Sequence, residues 1–134
     1  MTHQLISQES KLHHICEQIL KLDSSVRFAG FINDMGIIIT YQYRDGLDPL
    51  LKTKECELSF IDTVLRMRIR KDMEPKLGKV LYSLTLYEKV KRVTILPHNE
   101  EDPILMVSFD NNNSEGEIYH ESLISVGILP LLSY

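Results

Sequence analysis

Two apolar runs stand on either side of Asn33-Asp34-Met35-Gly36 in the stretch VRFAGFINDMGIIITYQYRDG, residues 26–46. Val, Ile, Phe and Tyr dominate both runs, and Asn, Asp and Gly tolerate the positive backbone angles of a tight bend. The pattern predicts a hairpin of strands at 26–32 and 37–43. Upstream, Leu12, Ile15, Cys16, Ile19 and Leu22 recur at spacings of three and four. That is the signature of an amphipathic helix over about 7–22, stopped by Asp23-Ser24-Ser25. Downstream, RDGLDPLLKT reads as a connection built on Asp-Gly and Asp-Pro, with Thr53 as the N-cap of the next helix.

That central helix, KECELSFIDTVLRMRIRKDME, is predicted to run to Pro75 with Leu58, Ile61, Val64, Leu65 and Ile69 on one broad apolar face. Its acids come early (Glu55, Glu57, Asp62) and its bases late (Arg66, Arg68, Arg70, Lys71), which complements the helix dipole. After PKLGK, three strand patterns follow at 80–88, 92–97 and 104–110. The stretch NNNSEGEIYHESLISVG then predicts a last helix, with Ser114 and Glu117 in capping-box spacing and Gly127 as its C-cap. The order is α-β-β-α-β-β-β-α. Three strands in succession without helices between them must pair antiparallel, and the single helix after the first hairpin must cross from one sheet edge to the other. The expected fold is α+β: one five-stranded antiparallel sheet flanked by helices, with the first and last helices on one face and the central helix on the other.

A chain of 134 residues has room for a single domain, here 1–134, with a core of about 5–128 and an apolar C-terminal tail from 128 to 134. The tail ILPLLSY is expected to fold back over the sheet or to dock on a second subunit. Charge is partitioned along the chain. Residues 1–65 carry 6 basic and 9 acidic groups, residues 66–92 carry 9 and 3, and residues 93–134 carry 0 and 7. A net charge of −4 argues against a dedicated nucleic-acid binder, whereas the basic middle suits a surface that orients an acidic protein partner. The start MTHQLISQESKLHHICEQ lacks the pattern of a signal peptide, and no apolar run approaches the ~20 residues that span a bilayer, so a cytoplasmic protein without membrane insertion is expected. Cys16 and Cys56 fall in core-facing helical patterns without metal-ligand spacing, which predicts reduced thiols.

The element order, together with the FINDMGIII turn, resembles the roadblock/dynein light chain family of profilin-like folds. The strings LRMRIRKDMEPKLGK and YEKVKR are also similar to a small uncharacterised archaeal protein family. The roadblock resemblance implies a protein with no catalytic site and no cofactor. It implies a homodimer joined through the central helix and a neighbouring edge strand, and a paired surface that docks small GTPases, motor components or membrane-associated scaffolds. Mapped onto this chain, it places the dimer interface at Phe60, Val64, Met67 and Lys71 on the helix and at Tyr82, Leu84 and Leu86 within the edge strand 82–87. The arginines of the helix, if they faced the twofold axis, would need acidic partners there.

Asp62, Arg66, Arg70 and Glu74 recur every four residues and predict a stripe of i, i+4 ion pairs. Arg66, Arg68, Arg70, Lys89, Lys91 and Arg92 are the candidate partner-facing basic patch, the last three brought together in one turn. The alternative function is a small-molecule sensor with a pocket between the sheet and the central helix, lined by Phe28, Tyr41, Tyr43, Tyr82 and Tyr87. His13 and Cys16 have an i, i+3 spacing, but zinc needs three or four converging ligands and His98 or His120 would have to arrive from distant elements. Ser122 and His120 lack a nucleophile-elbow setting, and DMGIII has one glycine and enters a strand, so neither a triad nor a phosphate loop is indicated.

Overall fold

The computed structural model describes residues 2–96, 102–111 and 121–132, and of residues 2–7 the backbone alone. Helix α1 (Thr2–Leu22) leads into the hairpin β1 (Val26–Ile32) and β2 (Ile38–Tyr43). Helix α2 (Thr53–Lys71) and the short α3 (Glu74–Leu77) follow, then β3 (Ser83–Leu86), β4 (Val90–Ile95) and β5 (Ile104–Asp110). A π-helical segment, Leu123–Ile128, runs on into a last α-helical turn, Leu129–Leu131. The strands form one antiparallel sheet in the order β2-β1-β5-β4-β3. The two edges are therefore β2 and β3, and α2 makes the crossing between them that the strand count requires.

The β1–β2 bend is built as its residues dictate. Asn33 accepts the N–H groups of Met35 and Ile37 on its side-chain oxygen at 2.9 and 3.0 Å, and Gly36 takes φ +80°. Gly36 also packs against α2: a Cβ at this position would stand 3.1 Å from both the N and the Cα of Ile61. The turn is thus held in a conformation that glycine alone adopts without strain, at a point where the helix backbone leaves no room for a side chain.

Alternation along the strands gives the sheet two apolar faces. On one, Ala29, Phe31, Val93, Leu105, Val107 and Phe109 pack under Leu12, Ile15, Cys16 and Ile19 of α1 and under Ile124 and Ile128. On the other, Ile32, Ile104, Met106 and Leu96 pack under Phe60, Val64 and Met67 of α2. A register shift between Val26 and Phe28 restores Val26 to the α1 face, where it is buried. The tail packs within the domain: Leu129, Leu131 and Leu132 join the α1-side cluster.

Several boundaries differ from the sequence reading. Helix α2 is capped at Lys52, not Thr53; the Glu55 carboxylate accepts the Lys52 N–H at 2.9 Å, the reach-back half of a capping box. It stops at Lys71 instead of running to Pro75, and Pro75 opens the first turn of α3, where its missing N–H costs nothing. β3 is shorter than 80–88, and β4 starts at Val90, not Arg92. Gly127 does not end the last helix. It lies inside the helical run against Leu22, whose Cδ1 a Cβ would approach to 3.1 Å. Ser114, Glu117, His98 and His120 lie outside the described residues.

Candidate interaction surface

Helix α2 carries two apolar stripes. Phe60, Val64 and Met67 are 9%, 6% and 3% exposed, whereas Leu58, Ile61, Leu65 and Ile69 are 68%, 48%, 53% and 61% exposed. At 3.6 residues per turn the two sets lie on opposite sides of the helix. Three of the residues expected at a dimer interface, Phe60, Val64 and Met67, are therefore committed to the sheet, and Val64 does not share a face with Leu58, Ile61, Leu65 and Ile69. Periodicity finds both stripes and cannot tell which one the sheet covers, since each recurs at three-and-four spacing.

The outward stripe is flanked by charge. Asp62 and Arg66 pair at 3.0 Å on one side, both well exposed. On the other side Arg68 donates to the Asp34 carbonyl at 3.0 Å, tying α2 to the β1–β2 turn. Arg70 and Lys71 are half-buried. Glu74, expected to pair with Arg70, instead accepts the Val80 N–H at 2.8 Å and holds the chain leaving α3. Further exposed apolar side chains follow α2: Met73, Leu77 and Leu81, and then Leu84 and Leu86 on the edge strand. Tyr82 is half-buried and packs against the α1-side cluster.

The basic turn at 89–92 does not form. Because β4 begins at Val90, alternation sends Lys91 and Arg92 to opposite faces of the sheet. Lys91 is 0% exposed on the face it shares with Val93 and Ile95, so it is no part of a surface patch. Lys89 is exposed, and Arg92 lines a cleft on the α2 face. This cleft of ≈ 100 Å³ lies between the sheet, the 47–51 connection and the first turns of α2, with Phe28, Tyr43, Cys56, Phe60 and Met106 in its wall. Phe28, Tyr41 and Tyr43 pack as a trio with ring centroids 5.0 to 6.2 Å apart. Burial, then the neighbouring Cys56 and Tyr41, push the Tyr43 phenol above its ordinary range. Of the residues expected in the alternative pocket, Phe28 and Tyr43 line the cleft; Tyr41 packs on them but is half exposed and outside its lining, Tyr82 faces the opposite side of the sheet and Tyr87 is exposed at the β3–β4 turn.

One charged cluster has a structural role. Asp110 accepts Arg27 at 2.8 Å and Arg44 at 2.7 Å, clamping β1, the end of β2 and the end of β5. Burial works to raise its pKa, but the two guanidinium groups outweigh that and hold the carboxyl below its usual value. His13 bonds Thr40 at 2.7 Å through Nδ1 and lies 3.1 Å from Glu17 through Nε2, while Cys16 is wholly buried. Among the described residues no group of three metal-ligating side chains converges, and no helix is long and apolar enough to cross a membrane.

No family model and no curated protein matches the sequence. Solved structures do match the fold. The gliding protein MglB from Thermus thermophilus is 13% identical with a TM-score of 0.65, over 92% of this chain and 89% of that one. A structure described as MglB with tetrameric arrangement is 13% identical with a TM-score of 0.62, over 89% and 85%. A Roadblock/LC7 domain from Streptomyces avermitilis is 11% identical with a TM-score of 0.57, over 92% and 98%. The fold is roadblock-like, as the element order and the FINDMGIII turn suggested.

Proposed function

We propose that this chain is a non-enzymatic interaction module that pairs with a second copy through the outer stripe of α2 and the free edge of β3. The observation that carries this reading is the row Leu58, Ile61, Leu65 and Ile69, each about half exposed or more on a helix whose opposite face is already buried. A sustained apolar seam with charged flanks is what a helix offers to another helix, and water is a poor partner for it. β3 adds an edge whose outer side is unpaired among the described residues. The tetrameric arrangement of one structurally similar protein supports reading such a fold as self-associating. Arg66 and Arg68 beside the seam, with Lys89 exposed, suit an acidic-surfaced second partner, and the fold resemblance points to a small GTPase-like protein.

Hydrogen exchange at low and high protein concentration tests the pairing. Self-association through this surface slows exchange in peptides covering 58–69 and 83–86 as concentration rises. Concentration-dependent protection confined to β2, or to α1, would assign the interface elsewhere and overturn the reading.

A further inference from the structure

One row of side chains crosses the whole α2 face of the sheet. The register sets Tyr43 opposite Phe28, Phe28 opposite Ser108, Ser108 opposite Arg92 and Arg92 opposite Thr85. Farther along this face Ile32, Ile104 and Met106 lie beneath α2. Here the row turns from aromatic to polar, and the cleft lies over it. Arg92 is half-buried, and its guanidinium has no ion-pair partner among the described residues. The second arginine in the wall, Arg27, is bonded to Asp110, a carboxylate it shares with Arg44. The cleft therefore offers, in mostly apolar walls, one guanidinium with no ion pair among the described residues, Arg92, and a second that shares its carboxylate.

We infer that this cleft is a binding site for a small monocarboxylate with an apolar body, a single aromatic ring or a short acyl chain, held by Arg92. The planar guanidinium matches a carboxylate with two parallel N–H···O bonds, and the Ser108 hydroxyl beside it can donate a third. Phe28, Leu50, Phe60 and Met106 surround the apolar body. The volume limits the ligand: cavities of roughly 150 Å³ accept benzene, and this one is of that order. The mostly apolar walls favour a monoanion over a phosphate dianion, whose desolvation costs more. The site sits under the first turns of α2, on the side of the helix that faces the sheet, and it holds whether or not two copies pair.

The test is a titration of amide chemical shifts with benzoate and hexanoate, against the neutral benzamide and hexanol, and against phenyl phosphate. Benzoate and hexanoate are expected to give saturable shifts at Phe28, Tyr43, Arg92 and Ser108. The neutral isosteres and phenyl phosphate should bind at least about tenfold more weakly. Arg92→Gln should abolish the preference for the carboxylate while leaving the melting temperature close to that of the wild type. If Arg92→Gln does not fold, Arg92→Lys keeps the charge without the planar fork, and benzoate should then bind several-fold more weakly. Equal binding of benzoate and benzamide, shifts centred on Lys89 or the α2 arginines, or no saturable shift at all would each overturn the assignment.

Discussion

Replacing Met67 and Leu65 in turn by alanine separates the two faces of α2. Met67 is buried in one cluster with Ile32, Ile104 and Met106, residues mounted on strands that are held on both sides and relax little. The substitution loses the transfer energy of a buried side chain and leaves a hole, for a cost of about 2–5 kcal/mol; the rigid strand floor places it near ~3 kcal/mol. For a chain of this length that lowers the melting temperature by about 10 °C. Leu65 is more than half exposed, so in the isolated chain its alanine variant should stay within about 0.5 kcal/mol of the wild type. If Leu65 is covered in a dimer, its loss appears only where the dimer is populated, because association stabilises by mass action. Urea unfolding followed by circular dichroism at low and high protein concentration reads both effects. Met67→Ala should be destabilised equally at both concentrations, and Leu65→Ala only at the higher. A Met67→Ala variant no less stable than Leu65→Ala would refute the assignment of faces.

Asp110→Asn should cost about 1–2 kcal/mol at neutral pH, because it removes the negative partner of Arg27 and Arg44. Since the folded carboxyl is held below its unfolded value of about 3.9, this stability is present above that value and lost as pH falls through the folded one; urea midpoints of wild type and variant should converge in acid, and a constant gap would contradict the clamp. Cys16 is wholly buried, and burial pushes its pKa up to about 12, so a thiol reagent should label the half-exposed Cys56 first and Cys16 only on unfolding; equal native rates would refute this. Gly36→Ala should destabilise by more than about 1 kcal/mol, from the positive φ and from contact with the Ile61 backbone, and a neutral effect in thermal melts would show that α2 does not press on this turn.

Most of the architecture was legible in residue patterns. β1 and β5 match their predicted spans because Val, Ile and Phe runs end at Asn33 and Asp110, where the composition changes abruptly. The crossing of α2 followed from strand count alone. Reading failed where two patterns compete. α2 has apolar residues on both sides, and only the packed structure shows that Phe60, Val64 and Met67 go inward. YEKVKRV looks like a charged turn, yet pairing with β3 and β5 draws Val90, Lys91 and Arg92 into a strand and splits the two cations between faces. Buried lysine is rare enough that no local signal announces Lys91. Gly127 reads as a stop because helices often end on glycine, whereas here it lies inside the helical run, facing Leu22. The outward row Leu58, Ile61, Leu65 and Ile69 had a usable signal: a helix apolar on opposite sides needs two partners, and one sheet supplies only one.

Sedimentation equilibrium of the wild type beside the double variant Leu65→Glu, Ile69→Glu tests the central claim most directly. Two carboxylates in an apolar seam cannot be covered without a heavy desolvation cost, while the buried stripe of Phe60, Val64 and Met67 is untouched. The account predicts a concentration-dependent dimer mass for the wild type, a monomer mass for the variant, and the same circular dichroism spectrum for both. A wild type that stays monomeric at every concentration, or a variant that dimerises as well as the wild type, would contradict it.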